Sequence, residues 1–332
     1  MTTVSETDRT GQYLTAAQAA AFCLRFEQLV SAVGAVLMGK ADAVRLAYVC
    51  LFAEGHLLLE DVPGTGKTTL AKALAASMSG SSSRIQFTPD LLPSDLTGVS
   101  VYDQRSGGFQ FHPGPVFASI VLADEINRAS PKTQSVLLEV MEENAVTVDG
   151  TTRPVEQPFM VIGTQNPVEQ AGTYRLPEAQ LDRFLMRTDL GHPDTEAALA
   201  ILASVGTRAA RPTVSAQIDQ RGVTAMIDDA VRVYADPAIL RYVMSRVEGT
   251  RQIQGVALGV SQRGANALLR AAKVRAASTG RHFVLPDDVK FLAGPVLTHR
   301  IALAAEAEFD GLTAAQVIEQ VVSSVAAPRT DR

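Results

Sequence analysis

From about Ala16 to Val33, and again over 41–53, apolar residues recur every three or four positions, the spacing of an amphipathic helix. The pattern then changes to short apolar runs, "HLLLE" (56–60), "RIQF" (84–87), "SIVLAD" (119–124), "FMVIGT" (159–164) and "RFLMRTDL" (183–190). Runs of this length, closed by glycine or polar residues, predict buried strands. Helical stretches at 67–78 and about 132–143 lie between them, with the loop "SGSSS" at 79–83. Strands alternating with helices predict a parallel sheet covered by helices.

Two segments break that alternation. Residues 99–116 alternate apolar and polar positions around Gly107-Gly108, and 146–155 place Asp149-Gly150 between β-prone residues. Both predict β-hairpins, the second through the dipeptide that best fits a two-residue turn. Beyond about Gly191 only helical patterns remain, at 194–205, 215–234, 237–250, 262–278, 286–298 and 313–325. Pro286-Asp287-Asp288 marks one start, with proline in the first turn and acids at the positive end of the helix dipole. The fold class is therefore α/β, a parallel-sheet core with two hairpin insertions followed by a helical domain. The expected divisions are a loose tail at 1–14, a core at 15–190 and a helical domain at 191–332.

Composition narrows the function classes. With 332 residues, 46 % apolar and 20 % charged, the chain is an ordinary globular one of about two domains. A net charge of −5 argues against a nucleic-acid protein, which usually carries a basic surface. Cys23 and Cys50 sit at helical spacing among apolar residues, which excludes a disulfide framework or a zinc site and suggests a reducing compartment. No run of 18 apolar residues occurs, and residues 1–12 lack the apolar stretch of a signal peptide. A cytoplasmic protein with no membrane insertion is expected.

The chemistry concentrates in three places. In "LLLEDVPGTGKTTLAK", Gly64 and Gly66 give the backbone the freedom to aim N–H groups at phosphate ahead of a helix N-terminus. Lys67 reaches the terminal phosphates, and Thr68 offers a hydroxyl to Mg2+. The strict spacing G-x-x-x-x-G-K-[ST] would put glycine where Asp61 stands, yet aspartate tolerates positive φ and the turn survives. About 55 residues on, "SIVLADEI" ends a strand in Asp124-Glu125. Asp124 can serve the metal, and Glu125 is placed to activate a water. "VIGTQNP" ends a third strand in polar residues, of which Asn166 can reach a γ-phosphate. Arg183 and Arg263 are further candidates, because arginine neutralises the transition-state charge of phosphoryl transfer. No Asn-Lys-x-Asp sequence is present to read guanine.

Together with "VLADEINRASPKTQSVLLEVMEE", "GTQNPVEQAGTYRLPEAQLDRFL" and "GVSQRGANALLRAAKVRA", these stretches resemble the MoxR family of AAA+ ATPases over about residues 25–325. In that family "EDVPG" is the usual wording, so Asp61 is no departure. The resemblance implies an αβα P-loop core with a helical lid, hairpin 99–116 being the helix-2 insert and 146–155 the pre-sensor hairpin. It implies ATP held by Asp61, Val62, Pro63, Gly64, Thr65, Gly66, Lys67, Thr68 and Thr69, with Mg2+ at Thr68 and Asp124. Catalytic roles are implied for Glu125, Asn166 as sensor 1, Arg183 as arginine finger and Arg263 as sensor 2. Gly39 and Lys40 would pass near the adenine, although Met38-Gly39-Lys40 departs from the more usual Val-Gly-Gln. A homo-oligomeric ring, a hexamer, is implied, as is a chaperone-like action on proteins carrying a von Willebrand factor A domain.

A nucleotide-gated scaffold with slow turnover would carry the same motifs. A nucleic-acid motor fits less well: Arg105 and His112 are the basic residues of the first hairpin, and Arg153 that of the second.

Overall fold

The computed structural model describes residues 13–166, 174, 176–204 and 213–328. The first twelve residues of the expected tail, "PVEQAGT" with Arg175, the end of the helix expected at 194–205, and the last four residues lie outside the described part. Contacts group the chain into two compact units, Leu29–Thr224, and Met1–Gln28 with Ala225–Arg332. The sequence pattern divides the chain near 190 instead. Backbone hydrogen bonds explain the difference, since Gln217 N donates to Ser77 O and keeps the chain beyond 190 on the α/β unit.

Helices α1 (Ala16–Gly34) and α2 (Ala41–Phe52) precede β1 (Leu57–Glu60), followed by α3 (Lys67–Ser77), β2 (Ser82–Gln86) and α4 (Pro93–Thr97). The first hairpin is β3 (Gly98–Asp103) and β4 (Gly108–Pro113); β5 (Ile120–Asp124) and α5 (Pro131–Glu143) come next. The second hairpin, β6 (Ala145–Val148) and β7 (Thr151–Pro154), precedes β8 (Met160–Gln165), α6 (Glu178–Leu181), β9 (Met186–Thr188) and α7 (Thr195–Ser204). The five core strands form a sheet in the order β2-β5-β8-β1-β9. Every pairing in it is parallel.

This order puts the apolar runs where they must be. Leu57, Leu58 and Leu59 are fully buried in β1 between two neighbours, each contributing about 1.5–3 kcal/mol. His56, just ahead of them, accepts Val161 N–H at Nδ1 and faces Met141 O with Nε2, so the neutral ring joins strand β8 to helix α5. The second hairpin turns as its sequence requires, Asp149 and Gly150 both having positive φ (51° and 75°). Strand β9 is much shorter than the apolar run at 183–190, because Arg183 and Phe184 still belong to the turn that closes α6, donating to Gln180 O and Leu181 O.

The second unit contains the later part of α8 (Gln220–Val231), then α9 (Pro237–Gln252), α10 (Gln262–Ser278), α11 (Pro286–Leu297), α12 (Ala305–Phe309) and α13 (Ala314–Ser324). A small antiparallel pair, β10 (Val256–Leu258) and β11 (Ala302–Leu303), is too short for a sequence pattern to reveal. Helix α8 begins later than the pattern predicts because Asp219 takes the Gly222 N–H and caps it there. Asp288, buried at the start of α11, accepts both Arg281 Nη groups at 2.7 Å and the Leu285 N–H. Arg246 is fully buried and donates to carbonyls at the C-terminal end of α13, Val321 and Val325. Tyr13 and Leu14, expected in the tail, are fixed: Leu14 is buried and its N–H donates to Arg232 O. Cys50 is buried and Cys23 partly exposed, and the two are not joined in a disulfide. Among the described residues, no helix is long and apolar enough to cross a membrane.

Candidate nucleotide site

The C-terminal ends of β1, β5 and β8 converge on a cavity of about 360 Å³. Ligands bind parallel α/β sheets at this edge, because the turns leaving the strands open there and helix N-termini face it. The cavity is lined by Pro63, Gly64, Gly66, Lys67, Thr68 and Thr69 from the loop and α3, by Asp124 at the end of β5 with Glu125 next to it, and by Asn166 after β8. Residues more than forty positions apart in sequence thus share one wall.

Gly64 and Gly66 have φ of +90° and +105°, conformations that L side chains rarely adopt. Gly66 is also the N-cap of α3, and a Cβ there would meet Leu37 at 2.9 Å. The loop therefore curls around open space with the α3 N-terminus beneath it. Lys67 Nζ donates to Asp61 O at 3.1 Å, folded back over its own loop.

Asp61 does not line the cavity; it braces the loop from behind. Buried, it accepts Val62 N–H at Oδ1 (2.9 Å), and Leu190 and Gly191 N–H at Oδ2 (2.9 and 3.2 Å). Glycine at this position could make none of these bonds. Lys40 serves the same brace, its buried ammonium donating to Gly191 O at 2.7 Å, while Gly39 (φ +70°) lies against Ala197. Val62 and Thr65 stay within the loop, the Thr65 hydroxyl facing Val62 O.

The acidic pair is held on both sides. Asp124 Oδ1 accepts the Thr164 hydroxyl at 2.6 Å, and Oδ2 accepts Arg84 Nη2 and Nε at 2.7 and 3.2 Å. Glu125 has left-handed backbone, φ 57° and ψ 49°, with its N–H on Thr164 Oγ1. Its carboxylate accepts Gln86 Nε2 at 2.9 Å and pairs with Arg128 at 3.2 Å. Arg84 and Gln86 line the cavity too. In sequence, "RIQF" reads only as a strand; its alternation puts positions 84 and 86 on one face, a signal that becomes readable once β2 lies beside β5.

Arg183 and Arg263 are not among the residues that line the cavity. Arg183 pairs with Glu142 Oε2 at 3.1 Å, near the C-terminal end of α5. Arg263 is exposed on the first turn of α10, in the helical unit.

Comparison with known proteins agrees with this geometry. Residues 56–186 match the model of the ATPase family associated with various cellular activities (AAA), and 248–321 match the AAA lid domain. "Chaperone MoxR1" of Mycobacterium tuberculosis is 38% identical over 315 residues, covering 92% of this chain and 83% of that protein. The chain belongs to the MoxR family of AAA+ ATPases. "Uncharacterized protein YeaC" of Bacillus subtilis is 47% identical over 299 residues, 90% of this chain and 93% of its own. The crystal structure of a protein from Cytophaga hutchinsonii superposes with a TM-score of 0.88 at 37% identity, covering 94% of this chain and 98% of the other. This MoxR-family protein is accordingly an ATPase, an α/β AAA core with a helical lid.

Proposed function

We propose that this MoxR-family ATPase hydrolyses ATP in the cavity at the ends of β1, β5 and β8, and uses the turnover as a chaperone-like remodelling factor on protein partners. The observation that carries the reading is that one cavity gathers the glycine loop, Lys67, Thr68, Asp124, Glu125 and Asn166. The residues fit a metal nucleotide: positive-φ glycines at a helix N-terminus for phosphate, a hydroxyl and a carboxylate for the metal. When bound, Mg2+ neutralises charge on the terminal phosphates.

The chain's own groups supply the rest. Lys67, held on Asp61 O, would turn to the terminal phosphates, and Thr68 and Asp124 would hold the metal. Glu125, released from Gln86 and Arg128, would take the proton of the attacking water, and Asn166 would orient that water. Arg183, on leaving Glu142, would serve the ATP of a neighbouring subunit, and the sensor-2 role of Arg263 is carried over from the family resemblance. A site completed by a neighbour implies a ring, read here as a hexamer.

Action on protein rather than nucleic acid is supported by the hairpins. The Arg153 guanidinium lies 4.0 Å from the Phe111 ring centre and is engaged there, while Tyr102 and Phe109 stand exposed beside each other. The name of MoxR1 supports the chaperone-like role, and the family resemblance points to partners with a von Willebrand factor A domain.

The test is paired. Glu125→Gln should keep ATP affinity while turnover falls by about 10²–10⁴-fold, and Lys67→Ala should lose affinity itself. Unchanged hydrolysis in Glu125→Gln would remove Glu125 as the base.

A further inference from the structure

Strand β2 forms the edge of the sheet, paired in register with β5 so that Arg84 lies opposite Leu122 and Gln86 opposite Asp124. Arg84 reaches along the sheet to Asp124, whose Oδ2 accepts two of its nitrogens while Oδ1 accepts Thr164. Both oxygens of the carboxylate that a divalent cation needs are therefore occupied. Asp124 is only 8% exposed, and a carboxylate so buried needs a cationic partner. The Arg84 side chain is 51% exposed and borders the cavity, so it has room to move away.

We propose that Arg84 is a built-in stand-in for the divalent cation: its guanidinium neutralises Asp124 in the nucleotide-free protein, yields Oδ2 when a metal nucleotide enters, and then meets the nucleotide's phosphates from the cavity wall. The inference rests on the reading of Asp124 as the metal-facing carboxylate. A guanidinium suits both tasks, since its planar fork binds carboxylate and phosphate oxygens alike. The exchange reaches the base as well. Arg84 Nη2 also donates to Gln86 Oε1, and Gln86 Nε2 donates to Glu125 Oε2. Departure of Arg84 removes one of the two contacts that orient Gln86, so metal arrival and the loosening of Glu125 become one event.

The experiment uses the full chain without nucleotide, following its thermal midpoint in chelator and then in a titration of Mg2+ alone. The wild type and Arg84→Lys should not respond to Mg2+ alone. Arg84→Met and Arg84→Gln should melt lower in chelator, by about 2–4 °C, and recover that loss as Mg2+ is added. Neutral variants that melt like the wild type in chelator, or that ignore Mg2+, overturn the proposal. So does an Arg84→Lys variant that responds to Mg2+ as the neutral ones do. Binding of Mg2+-ADP to the wild type is measured alongside. If it binds while the neutral variants ignore Mg2+, the stand-in fails and the nucleotide site stands. If it does not bind while those variants recover with Mg2+, the stand-in holds and the nucleotide reading fails.

Discussion

Asp61 shows how a single residue can look wrong in sequence and prove necessary in three dimensions. The strict phosphate-loop spacing asks for glycine there, and the carboxylate instead accepts three backbone N–H groups, one in its own loop and two in the chain leaving β9. Removing a buried acceptor strands those donors. Asp61→Ala is therefore expected to cost about 2–3 kcal/mol, read as a lower urea midpoint at unchanged slope, with weaker ATP binding because the loop loses its brace. Asp61→Gly, which restores the strict spacing, should do no better. A glycine variant as stable as the wild type would show that the brace is idle.

Among the elements, the first hairpin depends on its base more than on its tip. Gly98 opens β3 with φ +86°, and a Cβ on it would lie 2.1 Å from His112 O, the carbonyl of the partner strand. Any side chain must push the two strands apart while adopting a disfavoured backbone. Gly98→Ala should cost about 3 kcal/mol or more, and limited proteolysis should then cut within 98–113 before the rest of the α/β unit. Tyr102→Ala and Phe109→Ala, at an exposed aromatic pair, should shift the midpoint little, because little buried area is lost. The alternation of 99–116 revealed the hairpin and Asp149-Gly150 revealed the other; the clash that makes Gly98 necessary depends on a residue fourteen positions away and has no local signature.

At the scale of the whole molecule, elements and their grouping leave different traces in a sequence. Helix α10 follows from periodicity and the core strands from short apolar runs, because burial sets apolar spacing directly. The grouping follows from polar contacts that periodicity does not register, such as Gln217 N on Ser77 O and Asp61 on Gly191 N, which keep residues past 190 with the sheet. The candidate site divides in the same way. Loop, acids and Asn166 were legible because each ends a strand, whereas Arg84 and Gln86 needed the strand order. Assembly belongs to this scale too. If Arg183 serves a neighbour's ATP, Arg183→Ala should bind ATP normally yet lose turnover by about 10³-fold or more. Light scattering of Glu125→Gln in ATP should then show a ring, and a monomer under those conditions would exclude a shared site.

The left-handed backbone of Glu125 sets stability against turnover at one position. A glutamate held at φ 57° costs about 1 kcal/mol or more relative to glycine or asparagine. Glu125→Gly should therefore melt no lower than the wild type, while its turnover falls by about 10²–10⁴-fold as in Glu125→Gln. Selection for thermal robustness alone would discard this glutamate, so its persistence in a screened library would report on catalysis rather than folding.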